Sequence, residues 1–224
     1  MAPGTHAFIS WWTANVVALS RRDRLVVFLA GVLPDLDGLT LLRSEEAYIR
    51  YHHILAHNLL ACLVWTGLAA ALARQRAICS ALTFLCWHLH LACDYFGSAG
   101  PGPEVWVLPY LYPLVGEMTE RSFVGPRWYW NPWQWELNAW PNLLIGVLAA
   151  IGWLYIAVRL DRTWFEFVSL RLDREICRVL RKYLGGQRAE QWSPREGRLI
   201  RRSFLTVSTL TLFGCVVAAA QTAR

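Results

Sequence analysis

Apolar runs long enough to cross a bilayer dominate this chain, and short polar or basic stretches punctuate them. Runs near the roughly 20-residue spanning length occupy residues 25–42, 54–73, 77–96, 139–160 and 204–220, which predicts five transmembrane helices. A further apolar stretch, residues 6–19, is short for a span and rich in Trp, Thr and Asn. It predicts a short helix that lies at the interface, re-enters, or crosses only where neighbours cover its polar groups. The expected fold class is all-α: a polytopic membrane helix bundle of about five transmembrane helices, a short N-terminal apolar helix and a basic cytoplasmic helical segment. Residues 1–158 are expected to form a membrane-embedded domain with a Trp-rich outer loop (97–138), 159–202 a basic cytoplasmic amphipathic segment, and 203–224 a C-terminal transmembrane helix. No cleavable signal peptide is expected, because the first residues lack a basic n-region.

Composition supports the membrane class, with 55% hydrophobic residues and 13 Trp among 224, more apolar than an ordinary soluble domain. Charge then sets an orientation. Arg21, Arg22 and Arg24 precede the first long run, Arg74 and Arg76 separate the second from the third, and residues 159–202 carry 12 Lys/Arg against 6 Asp/Glu. The positive-inside rule places these regions in the cytoplasm. The connections 43–51 and 97–138, with net charges of 0 and −2, are expected on the other side. The cysteines, Cys62, Cys79, Cys86, Cys93, Cys177 and Cys215, lack paired ligand spacing and read as small buried hydrophobes.

All six histidines fall in the first 90 residues, and the acidic residues in apolar context are Asp35, Asp37 and Asp94. Each ionisable group inside a span costs roughly 2.5–3.5 kcal/mol on insertion scales, so a group of them without basic partners needs a compensating role. Metal coordination supplies one. In the expected topology His6, Asp35, Asp37, His52, His53, His57, His90 and Asp94 all fall toward the non-cytoplasmic face. His90 and Asp94 are four apart and project from one helical face; His53 and His57 share that spacing. His88 points away from His90 and reads as a packing or supporting residue. In LPDLDG, Pro34 and Gly38 are expected to break the helix and so let Asp35 and Asp37 act together. Mixed His and carboxylate donors suit zinc first, with manganese or iron as alternatives. The number of candidate ligands points to two ions rather than one, so one or two divalent metal ions are expected.

The succession THAF, LPDLDG, HHILAHNLL and HLACDYFGSAGPGPEVWVLP resembles the YdjM-like family, described as LexA-binding, inner-membrane-associated, metal-dependent hydrolases. That family's pattern is an early His, Pro-Asp-x-Asp, His-Arg-Gly-x-Thr-His-Ser, then His-x-x-x-Asp and a Thr-Pro-x-Gly type turn. The resemblance covers residues 5–109. Carried over position by position, it implies metal ligands at His6, Asp35, Asp37, His52, His57, His90 and Asp94. It selects His52 with His57, where helical spacing selects His53 with His57. We favour His52, because residues 51–53 can precede the first regular turn. His53 stands where the family has Arg, Ile54 where it has Gly and Asn58 where it has Ser. Loss of that Arg removes a candidate bidentate clamp, so the family's substrate does not carry over. A LexA partner is implied by the resemblance alone.

Two further stretches have plainer explanations. RWYWNPWQWELNAW reads as an interfacial aromatic belt, with a lid or substrate rim as its alternative. The basic run from residue 171, with Ile176, Val179, Leu180 and Tyr183 at helical spacing, reads as an amphipathic helix on an anionic leaflet, and nucleic-acid binding is disfavoured. The expected function is a membrane-bound metal-dependent hydrolase of the inner membrane, acting on an ester or phosphoester through a metal-activated water. Asp37 is expected to accept the water proton. A site at leaflet depth favours amphiphilic or lipid-linked substrates. Serine hydrolysis is disfavoured, since no Gly-x-Ser-x-Gly elbow is present. The alternative is a metal-binding or transport membrane protein without hydrolytic activity.

Overall fold

Small polar residues at the ends of apolar stretches fix where the helices begin. Ser20, Ser44 and Asn58 each accept a hydrogen bond from the backbone N–H three residues on, and Thr163 from the N–H two residues on, which satisfies donors that a helix start leaves open. The computed structural model describes residues 3–97, 107–115, 123–124 and 140–184, with single positions 194, 198, 201, 202 and 205 beyond. It is helical. The order is α1 (Pro3–Thr13), α2 (Arg21–Ala30), a 3-10 segment (Leu33–Leu42), α3 (Glu45–Tyr51), α4 (Leu59–Leu72), α5 (Arg76–Gly97), α6 (Trp140–Leu160), a second 3-10 segment (Trp164–Phe167) and α7 (Leu170–Leu184). Between α5 and α6, Val107–Leu108 and Phe123–Val124 make a two-residue antiparallel pairing.

The expectation of five spans is corrected by helix lengths. Among the described residues only Arg76–Tyr95 is long and apolar enough to cross a bilayer, joined by a second if the bent pair Arg21–Ala30 and Leu33–Leu42 is one span. The run 25–42 does not form one straight helix: α2 stops at Ala30, Pro34 opens the 3-10 segment, and the axis turns by 57°. The run 54–73 yields only the 14 residues of α4, about 21 Å of rise against a hydrocarbon core near 30 Å. Its first residues are spent on a turn that carries His57. In α6 the apolar part is Leu144–Leu160, again short. Of the run 204–220 only Leu205 is described, and of the Trp-rich stretch only Trp140; Cys215 lies outside the described residues. The remaining five cysteines are buried.

α5 is the central element and packs against α4, α2 and α1, while α1 also lies along α6. Where helices meet, the buried residues are mostly small: Ala30, Cys62, Ala69, Cys79 and Cys86. Aromatics close the second cluster, with Trp11 against Phe167 and Phe28 and Ile156 beneath. Leu60, Leu63, Val64 and Leu68 of α4, and Leu144, Val147, Leu148 and Ile151 of α6, point outward. Small residues inside and large apolar ones outside is the arrangement that lipid permits. Polar groups of the N-terminal segment are covered: Ser10, Thr13 and Asn15 are buried and donate to the carbonyls of His6, Ile9 and Trp11.

The structure has two unlike ends. Arg21, Arg24, Arg74, Arg159 and Arg181 belong to the end where α2 and α5 start and α6 finishes. His90 stands fourteen residues along α5 from Arg76, about 21 Å away. Gly31, at the close of α2, is where the bundle tolerates no side chain: a Cβ there would meet the Ser10 hydroxyl and stand 2.9 Å from Cys86 Sγ. Gly31→Ala is therefore expected to destabilise the bundle by about 1–3 kcal/mol, the usual overpacking cost. Thermal unfolding in detergent checks this, and an unshifted midpoint would mean that α1 and α5 can part freely.

Candidate metal centre

Four elements deliver the cluster. α1 brings His6, the 3-10 segment brings Asp35 and Asp37, the turn before α4 brings His52, His53 and His57, and α5 brings His90 and Asp94. Each gets there for a local reason. Asn58 caps α4, so helix begins only at Leu59 and His57 is free of helical spacing. His53 has φ 72°, a left-handed conformation uncommon for a non-glycine residue and found where the surroundings over-determine it. Its backbone N–H donates to Asp37 Oδ2 at 3.0 Å, and that bond holds the turn. His90 and Asp94 share one face of α5, with Nε2 and Oδ2 2.9 Å apart.

Two groups result, and they meet at one carboxylate. Ligand atoms of His6, Asp35, His90 and Asp94 lie within 4.8 Å of one another, as do those of His53, His57 and Asp94, so each group could hold a metal ion. Asp94 Oδ1 is 3.0 Å from His6 Nε2, and its Oδ2 is 3.2 Å from His57 Nε2. The His6 and His90 rings stack with centroids 3.8 Å apart. His6, His53, His57, His90 and Asp94 are buried; Asp35 keeps 17% of its side chain exposed.

Asp37 and His52 stand outside both groups. Asp37 Oδ1 accepts from His52 Nδ1 at 2.7 Å, and its Oδ2 accepts from His57 Nδ1 at 2.8 Å as well as from the His53 backbone. His52 is stacked on Tyr48 and tilted against His53. Of the two histidines the sequence left in competition beside His57, the structure places the His53 ring within a group and the His52 ring on Asp37. His88 also lies apart: its Nδ1 donates to the Phe84 carbonyl and its Nε2 accepts from the Tyr110 hydroxyl, each at 2.8 Å.

The hydrogen bonds determine which nitrogens carry protons. The Gly31 carbonyl can only accept, so His90 Nδ1, 2.9 Å away, must be its donor. An ionised Asp37 likewise requires the proton on His57 Nδ1. Both rings, when neutral, then present bare Nε2 atoms to each other at 3.1 Å, with Asp94 Oδ2 beside them. Three acceptors in mutual contact repel unless a proton on one ring or a metal ion sits among them. Asp35 Oδ2 and His6 Nδ1 are, in addition, buried without a hydrogen-bond partner, a state buried polar groups rarely keep. The donors are imidazole and carboxylate with no thiolate in either group, a set that fits a divalent transition ion. The outer bonds to Asp37 and Gly31 are the kind that orient ligating imidazoles.

Sequence reasoning did not single out Gly31 or Tyr48. The signal for Gly31 was available, since a glycine just after a helical run marks a helix end whose backbone is open to another group.

The model of the YdjM inner membrane protein family matches residues 1–169 of the chain. No curated protein and no solved structure gives a significant match.

Proposed function

The chain belongs to the YdjM inner membrane protein family, and we propose that it is a membrane-bound, metal-dependent hydrolase that cleaves an ester or phosphoester of an amphiphilic or lipid-linked substrate. The observation that carries this is the convergence of His57 Nε2 and His90 Nε2 on Asp94 Oδ2. In this reading His6, Asp35, His90 and Asp94 hold one ion and His53, His57 and Asp94 a second. Zinc is the first expectation, with manganese or iron next. A bound divalent ion supplies a water of lowered pKa and polarises the scissile bond. Under the positive-inside rule the cluster opens toward the non-cytoplasmic face.

The chain's own groups divide the remaining work. Asp37, the base expected from sequence, has both oxygens engaged by three donors, so its role in the proposal is to hold His57 and His52 in place. Asp35 has an Oδ2 that is buried in the site without a hydrogen-bond partner, and it is the carboxylate that accepts the water proton. His52 holds the other oxygen of Asp37, through Nδ1 at 2.7 Å.

Asp37→Asn is expected to weaken metal binding about 10–100-fold, as loss of an orienting carboxylate does, while the fold survives. Titration with zinc checks it; unchanged affinity would remove Asp37 from its orienting role. The function itself is tested by supplying zinc, manganese or ferrous ion to purified protein and assaying lipid phosphoesters and acyl esters. Turnover that Asp35→Asn abolishes supports the hydrolase. Bound metal with no turnover on either substrate class supports the second reading, a metal-binding protein without hydrolysis, which the near-complete burial of His53, His57 and Asp94 favours.

A further inference from the structure

Helix α7 (Leu170–Leu184) serves no part of the metal cluster, and its three faces differ in chemistry. One face is tied to the bundle. Asp173 and Cys177 are buried there, and Asp173 accepts from both the backbone N–H and the hydroxyl of Thr163 at 2.6 Å. Arg181 pairs with Asp161 at 2.5 Å, a residue held at φ 55° just past the end of α6. These bonds fix the rotation of α7 about its axis.

That rotation leaves two strips outside. The first is apolar: Leu172, Val179 and Tyr183 are 43%, 51% and 78% exposed, and Val168, just before the helix, is 79% exposed. The second is basic: Arg171, Arg174, Arg178 and Lys182 recur at three- and four-residue spacing, and all are exposed. Of the two acidic residues in α7, Asp173 faces inward and Glu175 is paired with Arg178 at 2.8 Å. Leu180, whose spacing alone grouped it with Val179 and Tyr183, is half-buried on the protein side.

Water solvates the basic strip but not the apolar one; the headgroup layer of a bilayer solvates both at once. The bilayer is also close at hand. α7 starts ten residues after Leu160, packs against the apolar α6, and sits at the end of the bundle that carries Arg21, Arg24 and Arg74. The cationic strip selects an anionic surface.

We propose that α7 is a surface anchor: Leu172, Val179 and Tyr183, with Val168, enter the headgroup layer of an anionic membrane while Arg171, Arg174, Arg178 and Lys182 pair with lipid phosphates. The inference stands apart from the hydrolase reading, because metal and turnover play no part in its test.

The full chain, with Cys215→Ser, is placed in nanodiscs of phosphatidylcholine alone or with phosphatidylglycerol added, and spin-labelled at Val179→Cys or Arg174→Cys. Cys177 does not compete for label: it is fully buried, and burial pushes its thiol up to about 12, far from the reactive thiolate. The Val179 label is expected to collide several-fold more with oxygen than with an aqueous nickel reagent, and the Arg174 label the reverse. The Val179 preference should grow with phosphatidylglycerol. Combined Arg171→Gln, Arg174→Gln, Arg178→Gln and Lys182→Gln, all at exposed positions, should remove that growth. Equal water access at Val179 and Arg174, a preference indifferent to anionic lipid, or shielding of Val179 only when a soluble protein is added would each overturn the anchor.

Discussion

Asp94→Ala is expected to empty both halves of the cluster and to lower hydrolysis by about 10³-fold or more. The magnitude follows from losing the several kcal/mol of stabilisation that an ion gives a developing charge, taken as about 4 kcal/mol. Asp94 is the one residue common to both groups. Its Oδ1 faces His6 and its Oδ2 faces His57 and His90. Without it, His57 Nε2 and His90 Nε2 lose the carboxylate they share, and the first group keeps Asp35, 3.7 Å from His90 Nε2, as its acid. Asp94→Asn separates charge from shape: it preserves volume and one oxygen, and it too should lose metal. Protons compete with metal for the imidazoles, so affinity in the native protein should fall as pH is lowered. An Asp94→Ala protein with full metal and undiminished turnover would place the chemistry elsewhere.

Glu166→Ala is expected to cost about 3–5 kcal/mol of stability, the penalty for leaving one partner of a buried ion pair without the other. The pair is bidentate: Arg24 Nε and Nη2 each donate to a Glu166 oxygen at 2.8 Å, and the side chains are 9% and 6% exposed. Arg24 Nη1 also donates to the Leu19 carbonyl, and Arg21 reaches the Glu166 carbonyl. These bonds lock the start of α2 to the connection between α6 and α7, at the end of the bundle opposite the cluster. Glu166→Gln keeps one acceptor and should cost less. Unfolding in detergent separates the outcomes, and a Glu166→Ala protein as stable as the native one would mean that water reaches Arg24 readily. Metal content should be unaffected in the folded fraction.

What could be read from the chain differs between neighbouring residues. His90 and Asp94 were legible because α5 is a regular helix and four-residue spacing puts both on one face. The break near Pro34 was legible too, since proline acts locally, but the axis turns between Ala30 and Leu33 and the 3-10 segment runs on through Gly38, where a second break was expected. The count of spans was not, because an apolar run does not say how many of its residues the helix uses. Asn58 is the instructive case. Compared with a family serine it is a mismatch, yet either residue caps a helix, and that cap is why α4 starts after His57. His53 is reached by helical spacing although it sits in a left-handed turn, and the resemblance selects His52 in its place. His6 meets Asp94 across 88 residues of sequence, a contact no local pattern encodes. The sharing of Asp94 by two groups likewise appears only when α1, α5 and the turn before α4 are assembled.

The central claim is that these residues hold divalent metal, and the most direct test is the metal content of the purified protein with its stoichiometry. About one to two ions per chain are expected, zinc foremost, with loss of the ion held by His53, His57 and Asp94 in His57→Ala and of nearly all metal in Asp94→Ala. A native protein that takes up no zinc, manganese or iron, or variants that keep the full complement, would contradict it.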